Sequence, residues 1–469
     1  MSAHSKRSVP RWPAHTEALD HYGRLVTAVP TACAELTAAD LAILDAVDEQ
    51  ALVDDLVGLL QVPSVTGTDA ESELQHRQAA ALAALGFDVD AWRLDLGELA
   101  AHPDFPGTEA PRVEGYGVVG TLGPAGVPAL VLQGHVDVVP TGDLDHWLDR
   151  DPWSGAIRGS SVHGRGACDM KAGVAANLAV ARAMVACGMR LERPLAVHAV
   201  VSEEDGGLGA FATMLRGHRG EAAVISEPTS GRIVVANAGA LTFAIRVCGR
   251  ATHGSTKSAG HSAFDAFLPV YAALAGLERE RNAHPDALFD GNALPYPVSV
   301  GIVHAGDWAS SVPDLLVAEG RLGVRLDEPP AAARAALEHT VAAACERDPW
   351  LCDHPAEVSW PGGQFASGRL DAAHPLASEV AGSIAAVEGR RAATGAAPYG
   401  SDLRLYAGLG GIPTLHYGPG DVRLAHGPRE QVEVDEVIRT TRSLAVLAVR
   451  RCGAHPPVNR RRAGRPAPA

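Results

Sequence analysis

Several features are absent from this sequence of 469 residues, and each absence excludes a class of protein. No apolar run approaches the roughly 20 residues of a membrane-spanning helix, so we expect no membrane partner. Positive charge is scarce, because the 40 Lys and Arg residues are outnumbered by 55 Asp and Glu residues, which gives a net charge of −15. A charge of that sign repels phosphate backbones, which argues against a nucleic-acid partner.

The cysteines show no pairing pattern. Seven are scattered along the chain without a CxxC pair, which favours reduced thiols and a cytoplasmic location. The N-terminus has basic residues but no apolar core of roughly 7 to 15 residues, so it does not resemble a secretory signal. Residues 1–36 and 455–469 predict a mobile N-terminal extension and a disordered tail, because they are polar or rich in Pro and Arg.

Helical and strand-like stretches alternate through most of the sequence between these ends. An opening helix is expected to begin behind Thr37, and later helices alternate with short apolar runs that end in polar clusters. This order predicts an α/β fold, with a mostly parallel sheet and helices on both faces. In such a sheet the functional residues lie at the ends of strands.

The pattern changes near residue 238. Leu241, Phe243, Ile245 and Val247 alternate with small or polar residues, as in a half-exposed strand. Residues 238–358 therefore predict a smaller α+β domain of two helices and four strands, which would serve as a lid or dimerisation domain. The catalytic domain would comprise residues 37–237 and 359–454, on either side of this insertion.

Polar residues that suit metal binding follow the predicted strands. His135 and Asp137 point to the same side of a strand end, so Asp137 can brace the imidazole of a ligating His135. Asp169 precedes a helix, and one carboxylate can bridge two cations. Each motif alone also fits an ordinary strand end or helix cap.

The remaining candidates also stand at strand ends or in a glycine-rich loop. Glu203 and Glu204 are adjacent carboxylates, which repel each other unless positive charge lies between them. Glu227 ends the following strand in SEPT, and His426 lies in LAHGPRE. Together with His135 and Asp169, these groups suit two divalent cations such as Zn²⁺.

Six motifs in order carry a family resemblance: GHVDVVP, GRGACDMKAG, SEEDGG, SEPT, the GSD loop and GPG...AHGP. Over roughly residues 40 to 452, the chain resembles the M20 metallopeptidase and deacylase family. It is most similar to the branch that contains acetylornithine deacetylase and succinyl-diaminopimelate desuccinylase. The resemblance implies two Zn²⁺ or Co²⁺ ions, a homodimer and a small N-acyl substrate.

The resemblance also implies a role for each candidate residue. His135 and Glu227 would hold one metal, Glu204 and His426 the other, and Asp169 would bridge them. Glu203 would be the general base, with Asp137 as the brace behind His135.

The resemblance extends to the lid and to the GSD loop. His253 in ATHGST would polarise the scissile carbonyl, in the active site of the partner subunit. Arg321 and Ser401 would contact the substrate, although an ordinary salt bridge within the lid suits Arg321 as well. Ser311 stands where the family usually has Asn, which puts the polar contact from that position in doubt.

The predicted reaction is hydrolysis of the amide bond of a small N-acyl amino acid or related amine. Exopeptidase action and deacylation or deformylation of a specialised metabolite are the alternatives within the family. A cysteine hydrolase built on Cys168 is disfavoured, because its sequence neighbours supply no base and Asp169 would raise the thiol pKa. A non-catalytic binding protein would be expected to lack Glu203 or a ligand, and a zinc-dependent regulator would need a basic surface.

Overall fold

A computed structural model describes residues 35–455. The predicted N-terminal extension and tail lie almost wholly outside these residues. Ten α-helices occur in the described part of the chain, and they are numbered in chain order. They are α1 (Ala38–Asp45), α2 (Glu49–Leu60), α3 (Asp69–Ala84), α4 (Leu96–Ala100), α5 (Lys171–Ala186), α6 (Leu208–Leu215), α7 (Ala263–Arg281), α8 (Pro330–Cys345), α9 (Leu376–Glu388) and α10 (Val434–Cys452).

The strands are numbered in the same way and form three sheets. They are β1 (Asp88–Arg93), β2 (Tyr116–Leu122), β3 (Leu130–His135), β4 (Ala156–Arg158), β5 (Ser161–His163), β6 (Leu195–Val200), β7 (Ala223–Ile225), β8 (Ile233–Asn237), β9 (Gly239–Cys248), β10 (Val298–Ala305), β11 (Leu315–Val324), β12 (Glu357–Ser359), β13 (Gln364–Phe365), β14 (Gly368–Arg369), β15 (Thr394–Ala397), β16 (Thr414–His416) and β17 (Gln431–Glu433).

The main sheet has nine strands, in the order β1-β2-β6-β3-β7-β16-β8-β14, with β15 also paired to β8. Its central strands β6, β3, β7 and β16 run parallel, whereas β1 and β2 at one edge are antiparallel. The predicted α/β class is confirmed, and the sheet is mixed around a parallel centre. The carboxyl ends of the parallel strands meet at one edge, where the candidate residues follow them.

Helices cover both faces of the main sheet, as the sequence predicts. Gly134 of β3 faces α5, since a Cβ atom added there would lie 2.9 Å from Val174. Gln133 points the opposite way and donates a hydrogen bond to Asp402, at the start of a segment that packs against α6. Alternate residues of β3 therefore belong to two separate apolar cores.

The predicted opening helix is two helices. Thr37 caps α1 as expected, and its hydroxyl accepts the backbone N–H of Asp40. The chain leaves helical geometry at Asp48, whose carboxylate accepts the N–H of Ala51 and begins α2. The apolar spacing continues across this break, which is why spacing alone predicts a single helix.

The second sheet has the order β10-β11-β9-β12, with β13 also paired to β9. One face of β9 packs against α7 and α8 through the predicted alternating residues, Leu241, Phe243, Ile245 and Val247. The sheet has five strands where four are predicted, and it extends to Phe365 instead of ending near residue 358. We call residues 239–365 the lid. Among the described residues, no helix is both long and apolar enough to span a bilayer.

Candidate metal centre

His135 ends β3 and is fully buried at the carboxyl edge of the main sheet. Its Nδ1 lies 2.9 Å from the backbone carbonyl oxygen of Asp137 and 3.5 Å from the Asp137 carboxylate. The carbonyl group is thus the nearer brace, and the carboxylate supports it. Because Nδ1 is bonded in this way, Nε2 is left free to face the other candidate residues.

The Asp137 carboxylate also organises the loop after β6. It accepts the backbone N–H groups of Glu203 and Glu204, each at 3.2 Å, and the hydroxyl of Thr66 at 3.0 Å. One buried carboxylate therefore fixes the backbone of both adjacent glutamates. Thr66 was not identified from the sequence, because a lone threonine 71 residues away carries no signal of this contact.

Asp169 lies between the two candidate histidines, immediately before α5. One of its carboxylate oxygens is 3.4 Å from Nε2 of His135, and the other is 3.4 Å from Nε2 of His426. Glu204 stands 3.1 Å from the same nitrogen of His426, while Glu227 is 3.9 Å from that of His135. The carboxylate of Asp169 thus lies between two pairs of donors. One pair is His135 and Glu227, and the other is Glu204 and His426.

A buried ion pair supports the Asp169 loop from behind. Glu430 accepts the backbone N–H groups of Cys168 and Asp169, and its other oxygen bonds Arg165. Arg165 also donates to the carbonyl oxygen of His426 at 3.2 Å. This pair joins the loops of Asp169 and His426, and neither member was identified from the sequence.

Close packing brings Glu227 near α5. Gly173 in the first turn of α5 faces the residue before Glu227, and an added Cβ atom would lie 2.1 Å from the Ser226 carbonyl oxygen. Any larger side chain would push the helix away from the strand. Glycine is therefore required for Asp169 and Glu227 to approach the same imidazole.

The carboxylates of the site outnumber its two imidazole groups. Burial raises the pKa values of Glu203 and Glu227 well above their ordinary value, and the negative charge of neighbouring carboxylates adds to this effect. The Glu204 carboxylate raises the pKa of His426 to about 11. For Asp169, burial alone would raise the pKa, but the neighbouring imidazoles of His135 and His426 hold it below its ordinary value.

The donor set fits divalent cations. Ligating atoms of His135, Asp169 and Glu204 lie within 4.8 Å of one another, and so do those of His135, Glu203 and Glu227. Within the described part of the chain, the buried Nε2 of His135 and Oε1 of Glu204 have no hydrogen-bond partner. Imidazole and carboxylate are ligands that Zn²⁺ and similar ions accept, and a cation would satisfy both atoms.

The other predicted site residues lie outside this cluster. His253 is exposed at the start of a lid loop, where its Nδ1 accepts the backbone N–H of Ser255 at 3.2 Å. Ser401 is buried, and its hydroxyl bonds His416 and the N–H of Leu403. The predicted contact of Ser401 with the substrate stays a prediction.

Arg321 lies on the lid strand β11, where the lid meets the main domain. Its guanidinium is 5.6 Å from the centre of the Phe365 ring, and that of Arg404 is 4.0 Å from the same ring. Burial lowers the pKa of Arg404 to about 10, against the opposing effects of Asp402 and Glu203. Arg404 is a further residue near the general-base candidate that the sequence did not indicate.

The thiol of Cys168 is poorly suited to act as a nucleophile. The residue is fully buried, and burial together with Glu430 and Asp169 raises its pKa well above the ordinary value. A thiolate is therefore strongly disfavoured at this position. The geometry argues against the cysteine hydrolase considered from the sequence.

The α/β fold and the paired histidine and carboxylate groups define the class as metal-dependent hydrolases of amide bonds. Residues 131–450 match the family described as Peptidase family M20/M25/M40. The match covers more than half of the chain, and the chain belongs to this family.

Two relatives and one solved structure illustrate the similarity. The chain is 24% identical to an N-formyl-4-amino-5-aminomethyl-2-methylpyrimidine deformylase of Bacillus subtilis, covering 84% of this chain and 92% of that protein. It is 27% identical to an acetylornithine deacetylase of Erwinia tasmaniensis, covering 83% and 95%. A Bacillus subtilis protein described as a dinuclear metal binding peptidase from M20 family shares the fold, with a TM-score of 0.58, 17% identity and coverage of 86% and 98%.

Proposed function

We propose that this chain is a dinuclear metal-dependent deacylase of a small N-acyl amino acid or related N-acyl amine. The observation that carries the proposal is the position of Asp169, whose two oxygens each lie 3.4 Å from a different histidine. A single bridging carboxylate between two sets of donors suits two cations about 3.5 to 4 Å apart.

Each metal site has its own donors in this proposal. His135 and Glu227 would hold one ion, Glu204 and His426 would hold the other, and Asp169 would contribute a carboxylate oxygen to each. Zn²⁺ is the proposed ion, and Co²⁺ would accept the same donors. When bound, the ions supply Lewis acidity, which acidifies water and polarises the scissile carbonyl.

Glu203 acts as the general base. Its backbone is fixed by Asp137, and burial together with the charge of Glu227 raises its pKa well above the ordinary value. Its carboxylate lies within 4.8 Å of ligating atoms of His135 and Glu227, close enough to take a proton from a water held there. The protonated Glu203 then delivers that proton to the leaving amine.

His253 serves the active site of the partner subunit in a homodimer. Its Nδ1 accepts a backbone N–H, so the neutral ring carries its proton on Nε2 and can donate a hydrogen bond to a developing oxyanion. Apolar residues on α7 support a dimer through the lid, since Phe264, Leu268 and Tyr271 are exposed on one face at helical spacing. The edge strand β10 exposes Ile302 and Val303 in addition.

Mixed dimers test the assignment of His253. Chains carrying His253→Ala and chains carrying Glu203→Gln are each expected to be inactive alone. If His253 acts in the partner's site, co-refolding equal amounts should recover roughly a quarter of wild-type activity, because half of the dimers contain one complete site. Verified mixed dimers that stay inactive would reject the assignment and leave the metal chemistry untouched.

The substrate class is tested with a panel. Metal-loaded enzyme is assayed on N-formyl, N-acetyl and N-succinyl amines beside a set of dipeptides, and the values of kcat/KM are compared. We expect the N-acyl amines to be preferred, as in the deformylase and deacetylase relatives. Preference for dipeptides would favour an exopeptidase, and weak hydrolysis throughout would favour a specialised N-acyl metabolite.

Location is part of the same proposal. The scattered, odd number of cysteines predicts the reducing cytoplasm, and cell fractionation followed by immunoblotting would test this.

A further inference from the structure

Two lid loops are joined so that they form one unit. The first begins at His253, and the second follows the end of β10. His253 and Ser311 form a β-bridge, and the N–H of Gly254 donates to the Ser310 carbonyl oxygen at 2.6 Å. The N–H of Val312 donates to the Thr252 carbonyl oxygen at 2.9 Å, so whatever moves His253 also moves the second loop.

The second loop presents a large aromatic side chain to solvent. Trp308 is 72% exposed, and its neighbours in the loop are exposed as well. By contrast, Trp147, Trp350 and Trp360 donate their indole N–H groups to oxygen atoms of the chain. Burial of an indole ring stabilises a complex, and an indole exposed to water gains none of this energy until a ligand covers it.

The position of Trp308 relates it to the proposed dimer contact. The loop continues β10, the edge strand that exposes Ile302 and Val303, and Trp308 comes three positions after Ala305. A dimer that pairs lids along this edge places the loop against the partner. Because backbone bonds join the two loops, a partner site that receives the His253 loop also meets the loop that carries Trp308.

We propose that Trp308 enters the partner's active site together with His253 and binds a planar ring on the amine part of the substrate. This rests on the proposed function, because His253 must reach the scissile carbonyl there. The formyl, acetyl and succinyl groups of the panel contain no ring that could stack on an indole face. The aromatic contact therefore falls to the amine, and the substrate class becomes N-acyl amines that carry a planar ring.

The first test compares two substrates that differ in the amine part, N-acetylphenylalanine and N-acetylalanine. For Trp308→Ala, kcat/KM should fall roughly 10- to 100-fold on the phenylalanine substrate, mostly through KM, and less than about threefold on the alanine substrate. Trp308→Phe should retain most of the selectivity. Asp307→Ala, which truncates the exposed neighbour in the same loop, should change neither substrate.

A binding measurement separates recognition from catalysis. Calorimetric titration of the metal-loaded dimer with phenylalanine should show weaker binding to Trp308→Ala than to the wild type, with unchanged dimer mass by light scattering. Equal losses on both substrates, or unchanged binding of phenylalanine, would overturn the proposal. If Trp308→Ala dissociates the dimer, the selectivity of Trp308→Phe against Trp308→Gln decides the same question.

Mixed dimers locate the effect. With His253→Ala in one chain and Glu203→Gln in the other, the complete site uses His253 of the Glu203→Gln chain. Adding Trp308→Ala to that chain should lower activity on the phenylalanine substrate, whereas adding it to the His253→Ala chain should not. The reverse result would overturn the coupling of the two loops. If neither mixed dimer is active, the partner assignment of His253 fails, and the homodimer selectivities still decide whether Trp308 binds substrate.

Discussion

Buried carboxylates occur in two regions of the main domain and find positive charge in different ways. Between α1 and α10, Asp40 is fully buried, and the Arg450 guanidinium donates to both of its oxygens. At the carboxyl edge of the sheet, Glu203, Glu204 and Glu227 crowd around His135, and among the described residues no Arg or Lys side chain donates to them. Arg450 balances the charge of the first region, whereas in the second the carboxylates outnumber the two imidazoles, which favours added positive charge from bound cations.

The direction of the pKa shift distinguishes a buried carboxylate with a structural role from one that binds a ligand. Hydrogen bonds lower the pKa of Asp40, although burial opposes them, so the folded chain favours its ionised form. Burial raises the pKa of each crowded glutamate, and repulsion from neighbouring carboxylates adds to this effect. Acids crowded in this way at strand ends destabilise the fold unless a cation binds them, which favours a binding role over a structural one.

The largest expected effect comes from removing the cations that complete the second region. A strong chelator should reduce activity to the background rate, and Zn²⁺ or Co²⁺ should restore it. The thermal unfolding temperature should fall as well, because the buried carboxylates are then left uncompensated. Activity assays and elemental analysis on the same samples check this. Full activity in protein shown to be free of metal would refute the comparison.

The next effect separates two neighbouring glutamates within that region. Glu203→Gln should lower kcat by about 10² to 10⁴ while two metal ions per chain remain bound, if Glu203 transfers protons as proposed and is not a ligand. Glu204→Gln should lose activity and metal together, because Glu204 contacts His426. Elemental analysis beside steady-state kinetics distinguishes them. Equal metal loss in both variants would show that the two roles are assigned the wrong way round.

Much of the second region could be predicted from the sequence because local patterns carry it. His135, Glu204 and Glu227 each follow a short apolar run, and the parallel strands of the centre bring their carboxyl ends together. The alternation in β9 predicts its buried face for the same reason, since side chains on a strand alternate between faces.

Other features depend on contacts that no local pattern reports. Arg165 and Glu430 are 265 residues apart in sequence, and only the folded chain shows that they pair. The antiparallel pairing of β2 with β6 also joins distant segments, so a mostly parallel sheet was the expectation. The break between α1 and α2 was missed because the apolar spacing is the same on both sides of Asp48.

The smallest expected effect concerns the first region, between α1 and α10, where Asp40→Asn removes the negative charge beside Arg450. Unfolding free energy at neutral pH should fall by about 1.5 to 3 kcal/mol, since hydrogen bonds to a charged group are lost, while kcat/KM and metal content stay unchanged. The folded pKa of Asp40 lies below the ordinary value, so its contribution is complete above about pH 4 and is lost as the pH falls further. Urea unfolding at several pH values should therefore show a difference in unfolding free energy between wild type and variant that narrows in acid.

The control is Asp45→Asn, on the exposed side of the same helix, which should leave the unfolding free energy nearly unchanged. If the difference in unfolding free energy between wild type and Asp40→Asn persists unchanged at pH values well below 4, Asp40 stabilises the contact by packing and not by its charge.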